Sequence, residues 1–162
     1  MITLAALLLA AANPVCAAPA PLAEPWTSWR QSGQAKAGIL AQGAPALILG
    51  KPLTADLTPA AHVQFPVVLG KGAKEGHGGL FSLSLKQAAR VGIALSGPAW
   101  VDVVTGNAVV ASVAHGHGPD CSGIRKIVWF DLPAGRHIVQ VAGAKDRSIH
   151  IMAADATANQ PL

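Results

Sequence analysis

The clearest pattern in the chain is an alternation of apolar with polar or small residues through its second half. In Leu80-Phe81-Ser82-Leu83-Ser84-Leu85, the side chains of Phe81, Leu83 and Leu85 fall on one face of an extended strand. After a turn around Gln87-Ala88-Ala89, Val91, Ile93 and Leu95 repeat the pattern, so the two segments together read as a hairpin. Ser96-Gly97-Pro98 ends it. Trp100 to Val104 predicts a further strand, Thr105-Gly106-Asn107 a turn, and Ala108 to Val113 the return. Ile127 to Leu132 alternates again, Pro133-Ala134-Gly135 turns the chain, and His137 to Val141 and Ile149 to Ala153 complete the series. Short strands about 8 to 12 residues apart, with Gly and Pro between them, predict an all-β fold: a small antiparallel β-sandwich of jelly-roll type.

Upstream the pattern is weaker. Residues 36 to 76 alternate short apolar pieces with Gly and Pro breakers, which suits short strands and turns better than helices. Residues 18–35 are rich in Ala and Pro and carry Trp26 and Trp29, which predicts a linker that docks through its two indoles. The sandwich is expected over 36–155, with a short tail over 156–162.

Composition narrows the class. A chain of 162 residues with 51% hydrophobic and 12% charged side chains can bury one core, which excludes wholesale disorder and collagen-like or disulfide-framework classes. The net charge of +4 is scattered, with no basic run longer than Arg125-Lys126, and this excludes a nucleic-acid footprint.

Part of the hydrophobicity belongs to the first 17 residues, which hold no charged side chain and read as a signal peptide. Leu4 to Ala12 is the apolar segment, Asn13-Pro14 breaks it, and Val15-Cys16-Ala17 offers small residues for cleavage after Ala17. The alternative is an uncleaved anchor, but an apolar run of about 9 residues falls short of the roughly 20 that cross a bilayer. Asn13-Pro14-Val15 is a poor lipobox for Cys16. Cleavage after Ala17 would leave no membrane span and would strand Cys121 as a single cysteine in a periplasmic or secreted protein. An intramolecular disulfide would then be impossible, and a Cys121-linked homodimer would become an option.

Two resemblances follow from these segments. The order FSLSL, VGIAL, WVDVV, IVWFDLPAGRHIVQVAG and SIHIMAA, over roughly residues 79 to 154, resembles the bacterial pre-peptidase carboxy-terminal type of domain, a jelly-roll β-sandwich of secreted proteins. In that family a strand following an "aG" turn carries tyrosine two residues after the glycine; here Gly135 matches the turn and His137 takes the tyrosine's place. The stretch AWVDVV with HGHGPDCSGIRKIVWFDLPAG resembles a family of small exported alphaproteobacterial proteins, some of which carry the name homogentisate 1,2-dioxygenase. The cupin enzymes with that activity are far longer and hold iron through a His, His, Glu set, for which this chain has no motif.

The densest chemistry lies in His115-Gly116-His117-Gly118-Pro119-Asp120-Cys121. On extended backbone His115 and His117 share a face, about 6 to 7 Å apart, and Cys121 could close on the same ion after the Gly-Pro turn. Copper, zinc or iron are the metals in question, with His77 as a further candidate ligand. The competing reading is a polar loop with solvated histidines and a buried cysteine. Cys121 as a nucleophile with His115 or His117 as its base is chemically allowable, and no other catalytic motif stands out. Asp102, Asp120 and Asp131 have no spacing that pairs them as catalytic acids; Asp102 could be a buried acceptor or a site residue, with a structural ion pair to Arg125 or Lys126 as the favoured role. His62 and His150 are expected at the surface, and His137 at a strand start in a packing or hydrogen-bonding role. The function that emerges is an exported, periplasmic binding or accessory protein with an unknown protein or small-molecule partner, the surface around the His115 to Cys121 loop as its functional patch, and no assigned catalytic residue. The alternative is a metal-binding protein or small metal-dependent oxidoreductase built on His115, His117 and Cys121.

Overall fold

A computed structural model describes Cys16 and residues 18–19, 21–68, 70 and 73–156. The expected signal peptide, apart from Cys16, and residues 157–162 of the expected tail lie outside the described residues. Among the described residues, twelve strands make up the fold: β1 (Gln34–Lys36), β2 (Ala46–Leu47), β3 (Leu53–Asp56), β4 (Thr58–Pro59), β5 (His77–Leu85), β6 (Ala89–Leu95), β7 (Trp100–Thr105), β8 (Ala108–Val110), β9 (Ala114–Gly116), β10 (Lys126–Leu132), β11 (Gly135–Ala144) and β12 (Ser148–Asp155). One 3₁₀ turn, Ala60–His62, follows β4. No helix among the described residues is long and apolar enough to cross a membrane.

The strands form two sheets packed as a sandwich. Sheet I has the order β1-β3-β12-β6-β10-β9, and sheet II the order β2-β5-β11-β7-β8, with β4 also paired to β5. Most neighbours are antiparallel, as expected. The short N-terminal strands differ: β1 runs parallel to β3, and β2 parallel to β5, so both sheets are mixed.

The alternation places its residues as predicted. Phe81, Leu83 and Leu85 of β5 meet Val91, Ile93 and Leu95 of β6, with Val128, Phe130, Val139, Val141, Ile149 and Ile151, in the central core. The pairing expected between the first two segments is not found. β5 lies in sheet II and β6 in sheet I, so the turn at Lys86 to Ala88 is an arch between sheets instead of a hairpin. β10 to β11 and β11 to β12 cross in the same way, whereas β7 and β8 do form the expected hairpin. An arch and a hairpin both need a turn and two in-facing stripes, and the stripes carry no information about which sheet each strand joins.

Both sheets are also apolar on their outer faces. Outside sheet I, Trp26, Trp29, Ile124, Ile127 and Met152 cluster, with Leu22 and Trp129 packed against them. Outside sheet II, Ala44, Val63 and Leu80 do the same, with Ala41, Phe65 and Ile138. The segment carrying Trp26 and Trp29 therefore docks through its indoles, which are only 6% and 3% exposed. Trp129 lies over Gly92, where a Cβ would stand 2.5 Å from the ring, so glycine is needed for the indole to reach the sheet. Trp26 then packs on Trp129 with ring centroids 5.8 Å apart.

His137 has the packing role expected of it. Its ring is 1% exposed, donates from Nε2 to the carbonyl of Pro133 at 2.8 Å, and accepts at Nδ1 from the Thr105 hydroxyl at 2.7 Å. The bond reaches back four residues across the β10–β11 arch and ties the corner, as a tyrosine hydroxyl does in other β-sandwiches.

Two predictions follow from these contacts. His137→Phe keeps the bulk but removes both part-buried hydrogen bonds, to the Thr105 hydroxyl and the Pro133 carbonyl, and is expected to lower stability by about 1–2 kcal/mol in urea unfolding; an unchanged midpoint would contradict the role. On the surface, Arg90 donates to Asp131 through Nε at 2.5 Å and through Nη2 at 2.7 Å. The Arg90 hydrogen bond holds the Asp131 carboxyl below its usual range. A carboxylate whose folded pKa is depressed stabilises above its unfolded pKa and loses that contribution as pH falls through the folded value. Stability curves of wild type and Asp131→Asn should thus differ slightly at neutral pH and converge well below about pH 4.

Candidate functional site

The loop between β9 and β10 is built as a tight reversal. Gly118 N–H donates to the Ile124 carbonyl at 3.2 Å, and a Cβ on Gly118 would collide with the Ile124 side chain. Ser122 N–H closes on the Pro119 carbonyl at 3.1 Å, and the Ser122 hydroxyl accepts from Ile124 N–H at 3.0 Å. The chain turns through positive φ at Cys121 (57°) and Gly123 (78°).

Cys121 is bonded to Cys16, with Cα atoms 5.5 Å apart and a separation of 105 positions in sequence. This corrects the expectation of a solitary cysteine. The sulfur carries no thiolate, so Cys121 is neither a metal ligand nor a nucleophile, and it has no thiol for a Cys121-linked homodimer. The bond fastens the start of the described chain beside Ile124, from which the segment through Trp26 and Trp29 covers sheet I. Ser28 donates to the Gly50 carbonyl at 2.6 Å along the way. Even counts of cysteine in exported proteins ordinarily pair. A cleavage after Ala17 removes one of the two cysteines and with it that signal.

The candidate ligands do not gather. His115 lies on edge strand β9 opposite Val128, exposed, while His117 donates from Nδ1 to the Arg125 carbonyl at 2.9 Å. His77 is in sheet II, on β5, with β11 and β7 between it and the β8 side from which the chain passes to β9. Its Nδ1 is buried without a partner. Among the described residues, no group of three or more His, Cys, Asp or Glu is placed to hold a metal ion.

The other histidines divide. His62 is exposed as expected, but His150 is not an ordinary surface residue. It donates from Nε2 to the Trp29 carbonyl at 2.7 Å, accepts from the Thr54 hydroxyl at 2.9 Å, and meets the Trp29 ring edge-on at 4.6 Å. The carboxylates are equally dispersed. Asp102 is on the outer face of sheet II and accepts from Gln140 at 3.3 Å, whereas Asp131 is on the outer face of sheet I. Lys126 does not bond Asp102 as expected. It donates to the Ala99 carbonyl at 2.8 Å, lies over Trp100, and its pKa is lowered by burial, with the Asp102 charge partly offsetting this.

Concave surface occurs elsewhere. A cleft of about 500 Å³ opens where edge strand β2 meets the β5–β6 arch, lined by Ala46 to Leu49, Ser84 to Gln87, Ala89 and Asp155. A second cleft of about 310 Å³ shares Ala46 and Ile48 with it and includes Lys51 and Leu53. Ile48 is 54% exposed, high for an isoleucine. By contrast, the hollow beside the disulfide, about 350 Å³ and bounded by Ser96 and residues 117–125, is shallow and polar. No periodicity points to the Ile48 clefts, because residues from four separate segments line them.

Closing a loop of this length with a disulfide stabilises by roughly 2–5 kcal/mol. Cys121→Ser is therefore expected to lower the unfolding midpoint and to red-shift tryptophan emission as the segment bearing Trp26 and Trp29 loosens. Unchanged emission and midpoint would show that the segment holds without its covalent tie. Neither any protein-family model nor any curated protein matches the chain.

Proposed function

We propose that the protein is an exported, periplasmic binding module whose ligand is a small amphipathic molecule, seated by its apolar part in the clefts that Ile48 divides. The 500 Å³ cleft beside Ile48 carries this reading. Its size falls in the usual range of small-molecule sites, and Ala46, Leu47, Ile48, Leu49, Leu85 and Ala89 make its lining largely apolar. Lys86 and Lys51 stand at the two clefts and favour an anionic headgroup, while Asp155, the acid in the lining, is engaged within the protein. The Cys16–Cys121 bond supports an oxidising compartment, where such bonds persist. A binding role uses these features without a catalytic constellation.

Titration with 1-anilinonaphthalene-8-sulfonate, an apolar ring system bearing a sulfonate, tests the reading. Wild type should bind saturably, and Ile48→Glu should weaken binding at least about tenfold, or ~1.4 kcal/mol, without lowering the unfolding midpoint. Binding that is absent, or equal in the two proteins, would overturn it.

A further inference from the structure

We infer that the protein carries a second binding site, for a neutral glucan, on the outer face of sheet II, with Trp100 as its stacking platform and Asp102 and Lys126 as its polar rim. Val101 and Val103 point into the core, which puts Trp100 and Asp102 together on the outer face, about 7 Å apart along β7. β11 and β5 lie between β7 and the β2 edge that borders the Ile48 clefts, so the two sites are separate.

Trp100 differs from the other indoles. Trp26 and Trp29 are buried and Trp129 is half-buried, whereas Trp100 is 53% exposed. Lys126 braces it, with Nζ 5.3 Å from the ring centroid and donating to the Ala99 carbonyl at 2.8 Å. The indole is thus held in place yet open to water, where a flat apolar ligand face can cover it. Hydrogen-bonding capacity around it is unused. Among the described residues the Trp100 N–H has no acceptor, Lys126 spends one of its three donors, and Asp102 accepts only from Gln140, at 3.3 Å.

Charge selects the class of ligand. An anion is repelled by Asp102, and a cation by Lys126, which already holds the cation's place over the ring. A neutral group rich in hydroxyls, each both donor and acceptor, suits both side chains. A glucose unit has this form: its hydroxyls are equatorial, and its axial C–H groups make two apolar faces that stack on an indole. In a β-1,4-glucan the links between units are equatorial too, so those faces stay open along the chain.

Titration of ¹⁵N-labelled protein with cellotetraose, followed on the four indole N–H resonances, tests the site. The resonance missing from Trp100→Ala is expected to shift saturably while the other three hold still. Asp102→Asn should weaken binding at least about fivefold at an unchanged unfolding midpoint. The cellouronate tetramer, the same chain with a carboxylate on each unit, should bind at least about tenfold more weakly than cellotetraose. No shift of the Trp100 resonance, a shift confined to another indole, or equal binding by Asp102→Asn would overturn the site. Equal binding of the cellouronate would overturn the neutral ligand.

Discussion

Through their middle, the central strands of sheet I are apolar on both faces, with the Arg90–Asp131 pair at one end of the outer face. In β6, Val91, Ile93 and Leu95 point into the sandwich, while Gly92 and Ala94 point outward beneath Trp129 and the Trp26–Trp29 segment. In β12, Ile149, Ile151 and Ala153 point inward and Met152 and Ala154 outward, again buried. Packing two sheets together satisfies only the inner faces. The outer ones need a cover, because an apolar face of several strands left in water forfeits roughly 25 cal/mol for each Å² exposed. The N-terminal segment supplies that cover for sheet I, and residues between β1 and β5 supply it for sheet II.

A cover made of irregular chain brings its own difficulty: its backbone carbonyls are buried with it and have no ladder to join. Histidine meets part of the need: His150 donates to the Trp29 carbonyl of the cover, and elsewhere His137 and His117 do the same for the turn carbonyls of Pro133 and Arg125. Half of the histidines that suggested coordination chemistry by their number thus serve as hydrogen-bond donors to exposed or buried turns. The disulfide completes the arrangement by fastening the cover to the loop beside Ile124, which moves Cys121 from the class of reactive groups to that of structural ones.

The strands and the inward stripe were legible because burial on one face imposes a period of two on the sequence. The hairpin expected from Phe81 to Leu95 was not, since an arch between sheets preserves the same stripe. The burial of Trp26 and Trp29 was legible from their size and apolarity, but the surface they cover was not. His115, His117 and Cys121 looked like a cluster because they are close in sequence. The His117 bond to Arg125 and the Cys16 bond to Cys121 depend on partners 8 and 105 residues away. The cleft at Ile48 was invisible for a related reason, since a concavity belongs to the space between segments and leaves no periodic trace in any of them.

By itself the sequence determined the fold class, the face each core residue presents, and the tendency of the tryptophans to be buried, because all three follow from local alternation and side-chain chemistry. Only the tertiary structure decided which strands share a sheet, which cysteine Cys121 meets, which carbonyls the histidines satisfy, and where concave surface remains. Each of those depends on contacts between residues far apart in the chain, and their energies are settled only when the sheets have packed and both outer faces are covered.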